Sequence, residues 1–461
     1  MVSLKEEKEQ FVTGLVGGEI SEIYLVTTIA LSSYLSLVLL KSLIYAKVPF
    51  GYDYVINCLT LLASITLYAR NVSYLHALIV VPSVVVGLWF RKKVTVKPQP
   101  NQPLLSKKPF ISAYRSHMLI LTNLAILAVD FRIFPRRFAK VETWGSSMMD
   151  LGVGSFVFSM GLVSSRALFK QQVSKVGYFH TIGRNIVKCL PLLVLGVARL
   201  VSVKSLDYQE HVTEYGIHWN FFITLGLLPI LMGIFDPVLS FVPRNILALV
   251  ISLGYDIVLN NTPLIEFILT SGNRMDNLLT MNKEGVFSFW GYFSLFLFGQ
   301  SFAFVLTNYK TENNLFKISP QRGKGRFSVS TTKGLIITTI VYQLLFQYVN
   351  HSIYFKPVSR RLGNFPYVLM VVSYNSTLLL GYNVISGMFP SVEGTSPVLE
   401  STNNNGLAGF LLGNVGTGLV NMTINTLGVK DPVAFLILNA YCIVIVGILV
   451  VLDRHKIYIK I

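Results

Sequence analysis

The chain has 461 residues, of which 52% are hydrophobic and 13% charged, and its mean hydropathy is +0.57. A soluble globular protein carries about 25% charged residues, so this composition excludes that class and describes a polytopic membrane protein. The formal net charge of +17 does not argue for nucleic acid, because the cations collect in connectors beside apolar runs, the pattern that sets membrane topology.

The amino-terminal segment Met1–Gln10 is charged, and the first apolar run is long enough to span, so no cleavable leader is expected. A span needs roughly 20 mostly apolar residues. Thirteen candidates follow in chain order, at about 23–40, 54–69, 74–90, 115–131, 145–164, 185–203, 218–235, 242–259, 285–306, 334–350, 365–384, 405–424 and 433–452. The longest polar connectors, 91–114, 260–284, 307–333 and 385–404, are each too short for an independent core. The fold expected is therefore an all-α polytopic membrane protein of about thirteen helices, with residues 1–461 forming one domain. Cys58, Cys189 and Cys442 each fall inside an apolar span; they suit small buried hydrophobes better than a disulfide framework or a metal site.

Lys and Arg assign the sides. The 91–115 connector holds seven cations and no acid, five more flank 164–188, and six lie between Lys310 and Lys333 against Glu312 alone. With thirteen spans these connectors and the tail (Arg454, Lys456, Lys460) share one face, the cytosolic one, and the amino terminus lies on the other. The sequons at Asn71, Asn260 and Asn350 then all fall on the outer side.

One cationic loop breaks that rule. Arg132, Arg136, Arg137 and Lys140 follow Asp130 on the outer face, which points to a task other than topology. Ionisable groups near an apolar span are costly and mark functional sites. Asp130 is either a helix-end carboxylate paired with Arg132 or Arg136, or a general base. Pro135 disfavours a continuous helix, and a bend there would return Lys140 toward Asp130. The two arginines suit bidentate phosphate recognition.

Further along, Asp150 inside the fifth span should face a partner or polar cavity, and Ser155 and Ser159 form a small-residue packing pair. In Tyr208–Asn220, a helix would place His211, Glu214, Tyr215 and His218 on one face. That spacing matches neither HExxH nor ExxH, so no metal site is expected; a solvated interfacial helix or a vestibule shared with the 130–140 loop both fit, the latter letting a histidine assist proton transfer. Ser359–Gly363 adds Arg360 and Arg361 to the outer face. In the twelfth span Gly409 and Gly413 read as close packing, and Asn414 and Asn421 as interhelical hydrogen bonds. Thr13–Gly18 is glycine-rich but weak as a phosphate-loop signal.

Six strings carry a resemblance: Phe11–Leu15, Ala125–Gly145, Asp150–Phe158, Tyr208–Gly216, Glu284–Phe289 and Gly416–Met422. On these the chain resembles the fungal GPI-anchored wall transfer proteins, the inositol acyltransferases of GPI-anchor biosynthesis. The resemblance implies a multi-pass enzyme of the endoplasmic reticulum membrane with a lumenal amino terminus and a cytosolic carboxyl terminus. Such an enzyme moves a fatty acyl group, typically palmitoyl, from the co-substrate acyl-CoA to the inositol 2-hydroxyl of glucosaminyl-phosphatidylinositol, and the family is an antifungal target. It implies Asp130 and Lys140 as the reactive pair; the chemistry of the residues adds His211 or His218 in support and calls for no permanently bound cofactor. Arg132, Arg136, Arg137, Glu142, Trp144, Asp150, Glu214, Tyr215 and Asn220 are the expected substrate contacts. A transporter or flippase of an anionic lipid, or a non-catalytic assembly subunit, is the rival reading; thirteen spans with no evident repeat count against the transporter.

Overall fold

The computed structural model describes residues 4–44, 48–89, 108–171, 177–205, 212–270, 274–306, 313–314, 328–390, 392 and 394–459. His211 and most residues of the cationic 91–107 and 307–327 connectors lie outside them. The chain is an all-α polytopic membrane protein, with a two-residue β-ladder, Asn313–Asn314 against Ser328–Val329, as a minor addition.

Each of the thirteen expected spans overlies helix. Eight helices are long and apolar enough to cross a bilayer by length and hydropathy: Ile20–Leu43, Val72–Trp89, Pro109–Ala128, Met148–Ser165, Phe221–Leu239, Lys283–Leu306, Phe365–Met388 and Asp431–Arg454. The remaining five expected spans fall on Phe50–Ile65, which is shorter, and on Tyr178–Ser205, Arg244–Asn261, Thr331–His351 and Gly406–Thr423. Polar residues dilute these last four; Tyr178–Ser205 alone contains Arg184, Lys188, Arg199 and Lys204.

A bilayer offers no water to orphaned backbone groups, so helix starts need partners. Asn220 accepts from the amides of Phe222 and Ile223, Ser330 from Lys333, Asn364 from Tyr367 and Ser396 from Leu399. These caps are short polar side chains, as helix starts prefer.

At the centre Met148–Gln171 packs against Lys283–Leu306, whose crossing segment is 89% buried, against 17% for the peripheral Val72–Trp89. Close approach is achieved by glycine. A Cβ on Gly161 would lie 2.1 Å from the Phe296 carbonyl oxygen, and one on Gly299 would lie 2.0 Å from that of Phe158. The expected small-residue pair does something else: Ser155 Oγ accepts from Asn375 and Ser159 Oγ from Arg115. The tight contact on that helix belongs to Gly154 and Gly161. Gly409 and Gly413 do pack closely, against Leu449 and Asn123. Asn414 bonds its own helix at Phe410, whereas Asn421 reaches Asp130.

The segments 11–19, 130–147, 212–220, 274–284 and 352–364 gather at one end of the bundle. Leu15 accepts from the Glu142 amide, Gly18 donates to Ser146, Gly145 donates to Val358 and Ile217 donates to Met281. This is the end that the Lys and Arg bias predicts to be the outer one. The Thr13–Gly18 string is a lacing: Gly17 has φ +83, and a Cβ there would meet the Ser146 oxygen at 2.1 Å.

A candidate active site at the outer end of the bundle

Five short segments converge here, and two glycines of the central helix admit two of them. Gly285 faces Tyr215, whose carbonyl oxygen would lie 2.7 Å from a Cβ, and Gly291 faces Gly363 at 2.1 Å. The 352–364 loop is stiffened internally. Ser359 donates its amide to Asn364 Oδ1, Asn364 Nδ2 donates to Pro357, and Tyr255 donates its hydroxyl to Leu362. Gly363, at φ +60, makes the turn.

That rigid loop carries the centre of the site. Arg360 Nε donates to Asp150 Oδ1 at 2.7 Å and its Nη1 to Glu214 Oε1 at 2.9 Å. Glu214 in turn takes two bonds from Lys140 Nζ, each 2.9 Å. Asp150 Oδ2 also accepts from the Ser147 hydroxyl and the Val141 amide. The result is an alternating chain, Lys140–Glu214–Arg360–Asp150, whose inner members are enclosed and whose Lys140 is 40% exposed. Burial opposes the Arg360 charge, but Glu214 and Asp150 outweigh it and hold the guanidinium above its ordinary range. Tyr292 and Tyr367 stand edge to face beside it, and Tyr367 donates its hydroxyl to the Asp150 carbonyl. Tyr215 is buried against the same group. Burial, then Tyr292 and Glu214, pushes its phenol up, and its hydroxyl has no hydrogen-bond partner among the described residues.

The 130–140 loop bends at Pro135, which leads into a single turn, Arg136–Phe138. Asp130 Oδ2 accepts from Asn421, whose own oxygen accepts from Lys8. Arg136 is wrapped in carbonyls, giving hydrogen bonds to Val129, Phe131 and Phe134, and lies 3.9 Å over the Phe11 ring. Burial draws it down to about 10, with nearby Asp130 pulling it back, so it remains a cation at neutral pH. Arg137 is forked onto Glu22 and reaches the Ala69 carbonyl, and Arg132 makes an exposed 3.7 Å pair with Glu7.

Of the residues singled out by sequence, Lys140, Asp150, Glu214 and Tyr215 are brought together. The others have partners of their own, and Asp130 and Lys140, expected as a pair, are held by Asn421 and by Glu214. Asp130 sits by Asn421, Glu142 accepts from the Gly14 amide, Trp144 packs with Tyr255 and Leu362, and Asn220 caps its helix while donating to Gly196. The expected helix face does not reach His218, and His211 lies outside the described residues. Among those residues the helix runs Val212–Tyr215, and Gly216, at φ +116, turns the chain. His218 lies beyond that turn, its amide held by Asn282 and its Nδ1 buried without a partner among the described residues. Arg360 and Arg361 were read only as outer-face cations and Glu284 only as part of a resemblance string, while Tyr292 and Tyr367 were not singled out. The available signals were paired arginines on the outer face and a Lys-Glu pair opening a long apolar helix.

The fold and site define a multi-pass membrane protein with an internal ion-pair chain open at one end. Comparison with known proteins goes further. The family model GWT1 matches residues 4–452. The chain is 57% identical to GPI-anchored wall transfer protein 1 of Debaryomyces hansenii over 492 residues, covering 100% of both. It is 54% identical to the Candida albicans protein of that name, covering 99% of both, and 45% identical to that of Saccharomyces cerevisiae, covering 100% of both. The chain belongs to the GWT1 family, which serves GPI-anchor biosynthesis.

Proposed function

We propose that this chain is an acyl-CoA-dependent O-acyltransferase of the endoplasmic reticulum membrane. It moves a fatty acyl group, typically palmitoyl, to the inositol 2-hydroxyl of glucosaminyl-phosphatidylinositol. The observation that carries the reading is Lys140: an ammonium has three donors, two go to Glu214, and the side chain is the exposed end of an otherwise enclosed chain. The third proton is available to a developing oxyanion, the electrostatic contribution that acyl transfer needs most. Glu214, backed by Arg360, fixes where that proton points.

The step is direct. The inositol hydroxyl oxygen attacks the thioester carbonyl carbon while its proton passes to Asp130, oriented by Asn421. The carbonyl oxygen, now negative, is met by Lys140. As the intermediate collapses the C–S bond breaks, and the CoA thiolate takes the proton from Asp130. An ester and a free thiol result, with no acyl-enzyme. The three cysteines are free and buried. Arg136 acts as a positioning residue for the loop that bears Asp130.

The test is the purified full chain in detergent with radiolabelled palmitoyl-CoA and glucosaminyl-phosphatidylinositol. Acylated lipid and free CoA thiol should form without any gradient, and Asp130→Asn should lower turnover by about 10²–10⁴-fold. Lipid movement across liposomes with no acylated product would instead mark a transporter. Full turnover in Asp130→Asn would shift the base to His218 or His211.

A further inference from the structure

Next to the ion-pair chain stands a second charged cluster with a different balance. Among the described residues, three cations, Arg274, Lys283 and Arg361, lie around one carboxylate, the fully buried Glu284. Arg274 forks onto it at 3.0 and 2.5 Å, and Arg361 Nη2 reaches it at 3.2 Å. Lys283 Nζ donates to the carbonyls of Phe267 and Thr270. Arg361 is incompletely bonded. Its Nη1 has only a 3.4 Å contact to Thr143, and its Nε is buried with no hydrogen-bond partner among the described residues. Two positive charges in excess, with an unmet guanidinium donor, make a half-dry place that favours an anion. A planar fork matches a phosphate in particular.

Its position suits one. Arg361 directly follows Arg360, which bonds the carboxylate that holds Lys140. In a phosphatidylinositol the phosphate and the 2-hydroxyl are on adjacent ring carbons, so a site for one belongs beside a site for the other. Arg136 and Arg137, the arginines expected from sequence to hold phosphate, have their donors on carbonyls and Glu22.

We propose that Arg361, with Arg274 and Thr143, forms a subsite for a substrate phosphate. The inference rests on the proposed acyl transfer for its choice of substrates. The experiment measures both Michaelis constants in purified wild type, Arg361→Gln and Arg361→Lys, alongside melting temperature. Arg361→Gln should raise KM for glucosaminyl-phosphatidylinositol about tenfold with kcat little changed, the pattern of a lost binding contact. Arg361→Lys should fall between, since it keeps charge but loses the fork. A selective rise in KM for acyl-CoA also supports a phosphate subsite and assigns it to the coenzyme. Unchanged KM values in a variant that keeps the wild-type melting temperature overturn the proposal. If Arg361→Gln does not fold, Arg361→Lys and Thr143→Val decide on the same criteria. Should wild type show no turnover, binding of soluble dioctanoyl-phosphatidylinositol decides separately. About tenfold weaker binding by Arg361→Gln upholds the subsite, and equal binding overturns it.

Discussion

Two polar chains run through this bundle, one at each end, and they are built on opposite plans. At the inner end Asp53 accepts from the Val398 amide and from Asn57 Nδ2, Asn57 Oδ1 meets His117 Nε2 at 2.9 Å, and His117 Nδ1 meets the Tyr382 hydroxyl at 2.6 Å. Because the Asn57 amide nitrogen faces Asp53, its oxygen must accept, so His117 donates from Nε2 and accepts from Tyr382 at Nδ1. All four side chains are 2% exposed or less. Asn57 lies in a widened turn, Val55–Leu59, that aims it at His117. Every donor in this chain has its acceptor. The outer chain alternates full charges and ends in Lys140, which is open. A closed chain specifies a packing arrangement, while a chain with a spare donor at its mouth is equipped for chemistry.

Breaking the outer chain in its middle should have the largest effect. Arg360→Ala leaves Asp150 a buried carboxylate without its cation and Glu214 with Lys140 alone, at a cost of about 3–5 kcal/mol. A steep drop in melting temperature together with lost turnover is expected; a variant that keeps wild-type stability would mean the chain is not charged as drawn. Opening the chain at its end should be milder for the fold. Lys140→Ala should cost about 10²–10³ in kcat, the scale of losing one oxyanion donor, with the melting temperature within a few degrees of wild type. An equal loss of stability would reduce Lys140 to a structural ion pair.

The inner chain reverses the pattern. His117→Phe strands the Asn57 oxygen and the Tyr382 hydroxyl, each worth about 1–3 kcal/mol when buried unmet. Stability should fall while kcat per folded molecule stays within about twofold. A tenfold fall in kcat at unchanged melting temperature would put the inner chain in the reaction and erase the contrast.

Much of this was legible before the structure. Apolar runs located each of the eight helices long and apolar enough to cross a membrane, and the loops expected on one face do converge at one end. Lys140, Asp150, Glu214 and Tyr215 stood out as ionisable or polar residues beside apolar spans. What joins them did not. Arg360 lies 210 residues from Asp150 and 146 from Glu214, and no spacing rule pairs residues across that distance. His218 falls off the expected helix face because Gly216 ends that helix before it, and a glycine two residues before His218 was the sign. The inner chain was invisible for a simpler reason. Asp53, Asn57, His117 and Tyr382 each stand alone in an apolar stretch and acquire meaning only when four helical segments meet.

The smallest effect belongs to a cation at the inner end that contrasts with the strongly held Arg360. Lys108 precedes the Pro109–Ala128 helix, and burial lowers its pKa from 10.5 to about 8. Below pH 8 it is charged in both the folded and unfolded chain, and the folded state bears the desolvation cost. Between pH 8 and 10.5 the unfolded chain binds the extra proton, so this contribution to stability rises with pH. Lys108→Gln should therefore melt higher than wild type at pH 7, by about 1–2 °C once solvent screening is allowed for, and the gap should close toward pH 10.5. Differential scanning fluorimetry of both proteins across that range measures it directly. A gap that does not change with pH would show that Lys108 is as well solvated in the fold as out of it, and the contrast between a guanidinium raised by its carboxylates and an ammonium lowered by burial would then be lost.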